Sequence, residues 1–294
     1  MADIRIIPRL DIKGPNLVKG VHLEGLRVLG KPEHFARHYY KLGADELLYM
    51  DVVASLYGRN SLLEIIERTA REIFIPLTVG GGLRSLEDIK KVLRAGADKV
   101  SINTAAIKNP LFIKEAAKKF GSSTIVVSIE TIRNHDGKSL AFTDNGREYT
   151  GIDVFEWAKQ VEQMGAGEIL LTSVDREGTG TGYDIELTKR VAESVSIPVI
   201  ACGGAGKPEH VSSVIADGMA DAVCVASMLH YDFIKHHSPD ADFSSEGNIE
   251  FLKSRTEFKR IKSMPLTEIK SFLSEKNIDC RYHGTLENTK DAIR

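Results

Sequence analysis

Short apolar runs alternate along this chain with amphipathic stretches of about 10–15 residues. The runs are Ile4–Leu10, Leu47–Val53, Leu77–Val79, Lys99–Ile102, Thr124–Ile129, Ile169–Thr172, Val199–Ala201 and Ala222–Val225. They are apolar continuously rather than at every second position, the mark of strands buried on both faces of a parallel sheet. Helix signals fall between them. Ser85 precedes Leu86-Glu87-Asp88, a side-chain N-cap followed by acids in the first turn. Pro32, Pro110 and Pro208 stand where helices start, a position that tolerates proline's missing N–H. Eight strands with helical crossovers predict an α/β fold, a TIM (β/α)8 barrel, with 1–294 as one domain. A doubly wound open sheet has the same local rhythm and is the rival.

A repeat disfavours the open sheet. IPLTVGGGLRS (75–85) is echoed by IPVIACGGAGK (197–207), so an offset of 122 carries Gly81 onto Gly203, Gly82 onto Gly204 and Gly96 onto Gly218. The same offset lays GADELLYM (43–50) on GAGEILLT (165–172), and IIPRLD (6–11) falls on IVVSIE (125–130) at an offset of 119. Two long units of this kind predict duplicated half-barrels, about 1–122 and 123–294, that close on each other.

Three segments break the rhythm. Ile12–Gly30 and Ile132–Gly151 follow strands 1 and 5 and are themselves duplicate positions, so they read as lids or hairpins over a site. The third, about 233–263, is polar and reads as an insertion before a last helix, Leu266–Lys276. The tail after Arg281 reads as frayed.

The net charge of −2 and pI of about 6.5 give no electrostatic case for nucleic acid or anionic membrane as partner. No apolar run approaches the roughly 20 residues that span a bilayer. Cys202, Cys224 and Cys280 form no metal-binding spacing, and no metal or cofactor is expected. A sparse, odd set of cysteines and the absence of a signal-peptide pattern predict a cytoplasmic protein.

In such a barrel the chemistry lies at the C-terminal ends of the strands. Asp11 ends strand 1 and Glu130 ends strand 5, which face each other across eight strands. Two carboxylates on opposite rims suit acid and base work on two sides of one ligand. The turns Gly80-Gly81-Gly82 and Gly203-Gly204 can bring backbone N–H groups to an anion, helped by Asn103-Thr104 after strand 4 and Ala226-Ser227 after strand 8. Glycine turns also serve tight packing alone. As anion sites, the duplicated pair implies a substrate with two phosphates, one at each end. At the other end of the barrel Arg5, Glu46, Lys99 and Glu168 begin strands 1, 2, 4 and 6, where two bases and two acids can ring the opening or simply be solvated.

IIPRLDIK, LVKG (17–20), TVGGGLRS, GADKVSINTAA (96–106), GAGEILLTSVDREGTGTGYD (165–184) and IACGGAGK together resemble the cyclase subunit of imidazole glycerol phosphate synthase. The resemblance runs from Ile4 to about His230 and resumes over the last helix. It implies a barrel that takes ammonia from a glutaminase docked at its bottom face and passes it through the interior. At the mouth the ammonia meets a bis-phosphate ribulosyl nucleotide, giving imidazole glycerol phosphate and an aminoimidazole carboxamide ribotide. By position, it implies that Asp11 is an acid/base residue and Lys19 a loop lysine over the substrate. It assigns Gly82, Asn103 and Thr104 to one phosphate, and Gly204, Ala226 and Ser227 to the other, beside Gly203. Arg5, Glu46, Lys99 and Glu168 become the gate of the ammonia path, and Asp98 a glutaminase contact.

The chain departs from the family around the chemistry. The second acid/base position, usually Asp, is Glu130, and one methylene moves a carboxylate by about 1 Å, a displacement worth on the order of 100-fold in rate. Position 9, usually small, is Arg9, for which Glu130 or Asp51 is the expected partner. Pro15 stiffens the first loop, and 233–263 is longer than usual. These changes resemble a paralogous branch tied to surface polysaccharides, in which such a barrel conducts ammonia for amidation of a sugar. Three readings follow: a working cyclase, an ammonia conductor with reduced or lost cyclase activity, and a phosphosugar isomerase barrel. The four-residue gate argues against the third.

Overall fold

The computed structural model describes residues 3–54, 62–237 and 259–281. Its strands, in chain order, are β1 (Arg5–Lys13), β2 (Asn16–Val21), β3 (Glu24–Gly30), β4 (Leu47–Asp51), β5 (Leu77–Gly80), β6 (Lys99–Ile102), β7 (Ile125–Arg133), β8 (Ser139–Thr143), β9 (Glu148–Asp153), β10 (Glu168–Ser173), β11 (Val199–Cys202) and β12 (Ala222–Val225). Eight of them pair in parallel around a closed ring, β1-β4-β5-β6-β7-β10-β11-β12 and back to β1. The parallel ladders and the helices between strands make this the expected TIM barrel, and the ring excludes an open sheet.

The two irregular segments are hairpins. β2–β3 folds back antiparallel on β1, with Asp11 opposite Val18. β8–β9 does the same on β7, with Glu130 opposite Phe142. Each half of the ring is therefore four parallel strands with one hairpin on the first. The hairpins also correct a boundary: Asp11 and Glu130 do not end their strands, because pairing with β2 and β8 prolongs β1 to Lys13 and β7 to Arg133.

Alternation along each strand sorts side chains between two cores. Ile6, Leu10, Leu47, Tyr49, Val79 and Val127 face outward into a large apolar layer beneath the helices. Ile7, Leu48, Val126, Leu170, Ile200 and Ala222 form a separate apolar cluster inside the barrel. The helices begin where the sequence sets them. Ser85 and Asp88 form a reciprocal capping box, worth about 1 kcal/mol. Pro32 and Pro208 occupy the first helical turn, and Pro110 stands one residue before it.

The stretch expected as an insertion from Phe233 starts instead as helix. Phe233–His236 complete the helix Ser227–His236, and 238–258 lie outside the described residues. The last helix is Leu266–Glu275, and the tail beyond Arg281 is outside the described residues. Among those described, no helix is long and apolar enough to cross a membrane.

Candidate active site

The strand ring puts β1 and β7 four places apart, so Asp11 and Glu130 stand on opposite sides of the mouth. Both are nearly buried, at 2% and 6% exposed. Their surroundings differ. Asp11 Oδ1 accepts a 2.8 Å hydrogen bond from Arg9 Nε, in an ion pair buried at both ends. The expected partner of Arg9 was Glu130 or Asp51. Arg9 and Asp11 are instead two residues apart on one strand, so their side chains leave the same face and meet without crossing the mouth. Glu130 makes no such ion pair among the described residues. Its Oε2 accepts from the backbone N–H of Gly146 at 2.8 Å. Burial pushes the Glu130 carboxyl up to about 7, against the opposing pull of Arg9 and the Gly146 amide. A carboxyl poised near neutrality can hold or release a proton at working pH.

The two glycine turns are built alike. Gly81 and Gly82 have φ of +102° and +70°, Gly203 and Gly204 of +96° and +107°. L side chains rarely adopt such values. A β-carbon at Gly204 would also lie 2.1 Å from the Gly182 carbonyl oxygen, so this turn serves packing as well as any ligand. Next to the turns, Asn103 and Ala226 share one unusual backbone conformation, φ −126° with ψ −81° and −77°, each just before a helix, at Thr104 and Ser227. The duplication thus extends to the dihedrals of the residues that aim these helix starts at the mouth.

The cradles differ in how open they are. A cavity of about 400 Å³ adjoins the first, lined by Gly82, Arg84, Asn103, Thr104, Glu130 and Asp144. Asn103 Nδ2 donates to the Phe142 carbonyl, while its buried Oδ1 has no hydrogen-bond partner among the described residues. At the second, between Gly203, Gly204, Ala226 and Ser227, the cavity is only about 10 Å³. Arg9 and Glu177 both line it. Glu177 reaches the turn. Its Oε2 lies 3.5 Å from where a Gly203 β-carbon would be. Its other oxygen is ion-paired to Lys19, both groups buried. Burial alone would raise the Glu177 carboxyl, but Lys19 and Arg9 outweigh it and hold it below the ordinary carboxylate value. Lys19 therefore sits on β2, in a folded hairpin, and grips an acid rather than standing free over the mouth.

At the opposite end, Arg5, Glu46, Lys99 and Glu168 form a closed square of ion pairs. Arg5 Nη1 meets Glu46 at 2.7 Å and Glu168 at 3.1 Å; Lys99 Nζ meets the same two acids at 3.1 and 2.8 Å. Asp98, on the same face, is exposed, and its Oδ2 accepts from the Leu77 N–H at 2.8 Å. Asp45 and Asp221 do the same for Ile6 and Val199, so this contact recurs around the barrel bottom and holds strand starts in place.

Sequence reasoning missed Glu177 and His230. Glu177 lay inside the quoted VDREGTG motif, where an acid after a barrel strand was signal enough. His230 Nε2 lies 3.0 Å from the Arg9 carbonyl oxygen and Nδ1 2.6 Å from the Tyr39 hydroxyl. Burial lowers the His230 imidazole to about 3, so it is neutral. Nothing in the local sequence marks that histidine.

A family described as Histidine biosynthesis protein matches residues 5–235. A protein named imidazole glycerol phosphate synthase subunit HisF, from Legionella pneumophila, is 62% identical over 209 residues, spanning 71% of this chain and 99% of that relative. Proteins of the same name from Methanocaldococcus jannaschii and Alkaliphilus metalliredigens are 50% identical over 246 residues and 47% over 228. These alignments span 77% and 78% of this chain and 90% of each relative. Ring and hairpins define a duplicated (β/α)8 barrel with its polar mouth at the strand C-termini. The chain belongs to the histidine biosynthesis protein family, on the branch that holds these HisF subunits.

Proposed function

We propose that the chain is the cyclase subunit of an imidazole glycerol phosphate synthase. It combines ammonia with a bis-phosphate ribulosyl aminoimidazole carboxamide nucleotide, forming imidazole glycerol phosphate and aminoimidazole carboxamide ribotide. The observation that carries the reading is the placement of Asp11 and Glu130 on opposite strands, between two turns of matching backbone geometry. A ligand with a phosphate at each end spans those turns. Its middle then lies between the carboxylates. Asp11, ion-paired, supplies one fixed carboxylate, and Glu130, titrating near neutrality, moves the second proton. The 400 Å³ cavity is within the usual range for small-molecule sites of about 300–1,000 Å³.

The ammonia comes from a glutaminase. The relatives are named as subunits, which supports a complex, and we place the docking face at the barrel bottom around Glu46, Asp98, Lys99 and Glu168. Ammonia is small and neutral, and the interior above the ring is apolar or carries small hydroxyls, Thr78, Ser101, Ser128 and Thr172, by strand alternation, with the Arg9 guanidinium crossing it higher up. Water at the entrance would protonate it. The conductor reading draws no support from the comparisons, which name synthase subunits. The setting we propose is the cytoplasm. The test is product formation from glutamine: it should require a glutaminase subunit, while added ammonium salt should bypass that need.

A further inference from the structure

Arg9 is a charged side chain in the barrel interior, buried between the bottom ring and the mouth. Positions 5, 7, 9 and 11 of β1 all point inward, so Arg9 lies between the Arg5 ring and Asp11. Its guanidinium crosses the barrel. Nη1 reaches Thr172 Oγ1 at 3.4 Å and Cys202 Sγ at 3.3 Å, on strands three and two places round the ring from its own. Nε donates to Asp11 Oδ1 at 2.8 Å. The backbone is held as well, by the contact of its carbonyl oxygen with His230. The residue is thus fixed at both ends, and it clamps one oxygen of the carboxylate that faces the mouth.

We propose that Arg9 is a positioning residue for the cyclisation: it locks Asp11 in the orientation from which that carboxylate exchanges protons with substrate. The inference rests on the cyclase reading above. Stability alone is a poor reason for such a pair, because a well-packed apolar residue commonly replaces a buried ion pair without loss. A guanidinium instead gives geometry, since its donors form a rigid fork, whereas an ammonium is a rotating point charge. The bond occupies Oδ1 and leaves Oδ2 for proton transfer. Arg9 also borders the second glycine turn, so a direct phosphate contact is the competing role.

A double-mutant cycle separates these roles. Wild type, Arg9→Met, Asp11→Asn and the double variant are assayed with ammonium salt and the bis-phosphate nucleotide, without partner. Arg9→Met should lower kcat by about 10- to 100-fold, the scale of a misplaced catalytic group, with KM for the nucleotide nearly unchanged. Arg9→Lys should recover part of the loss. In the Asp11→Asn background, Arg9→Met should cost nothing further, because its effect runs through Asp11. Wild-type kcat in Arg9→Met, an effect confined to KM, or an equal loss of kcat in the Asp11→Asn background each overturns the proposal. Should Arg9→Met fail to fold, Arg9→Lys keeps the buried charge and carries the same cycle. A wild type that forms no product overturns the cyclase reading itself, a result distinct from any of these.

Discussion

The Glu130 carboxylate is tied to the Gly146 backbone N–H at 2.8 Å, so the β8–β9 turn is fastened to the acid that it covers. Burial raises this carboxyl from an ordinary value of 4.5 to about 7. Between those values the folded chain binds a proton that the unfolded chain has released. Stability is therefore fullest below pH 4.5 and declines as pH rises to 7, by on the order of 3 kcal/mol for this group. Glu130→Gln removes that decline. The urea midpoints of the two proteins should diverge from pH 5 to pH 8 in favour of the variant. Parallel pH profiles would show that Glu130 titrates as an exposed carboxyl does.

Lys19 and Glu177 make a second testable pair. Lys19→Met strands a buried carboxylate, a loss of about 3–5 kcal/mol. Adding Glu177→Gln should restore most of it, since the orphaned charge is gone. If the two losses simply add in chemical denaturation, the pair is not coupled in solution.

The strands were legible because a parallel barrel buries both faces, and eight apolar runs record that directly. Asp11 and Glu130 were legible because the repeat places them at matching points. Charge signs at the strand starts made the bottom square possible but left solvation open; the family resemblance favoured a ring, and the ion pairs are seen only in the structure. The partner of Arg9 was not legible. Periodicity gives the face on which a side chain lies, not the direction in which a long arginine bends, and a same-strand carboxylate two residues on was overlooked. The place of Glu177 beside the second glycine turn also depends on loop geometry that no spacing encodes. Sequence also stopped β1 and β7 short, because pairing with a hairpin, and not apolar pattern, extends them.

Reversal of Lys99 tests the bottom ring. Lys99→Glu leaves three acids around Arg5, and like charges in contact cost several kcal/mol. Glutamine-dependent turnover with a glutaminase partner should fall by at least about tenfold, while ammonium-dependent turnover stays within about twofold. Equal losses from both nitrogen sources would remove the ring from the ammonia path.

Replacing Gly204 would break packing against Gly182, so it cannot report on phosphate binding cleanly. Asn103→Ala and Ser227→Ala probe the two cradles with less disturbance. Each should raise KM for the bis-phosphate nucleotide by about tenfold, the loss of a hydrogen bond to a charged group, with kcat little changed. Inorganic phosphate should inhibit competitively. A KM insensitive to both substitutions would leave the glycine turns a packing role only.

The most direct test of the account is the ammonium-dependent cyclase rate of the purified chain beside Asp11→Asn and Glu130→Gln. The account predicts both products from the wild type and a fall of roughly 100- to 10,000-fold in each variant, the worth of a proton-transfer group. Wild-type turnover retained in Glu130→Gln, or no product from the wild type at any ammonium concentration, would contradict it.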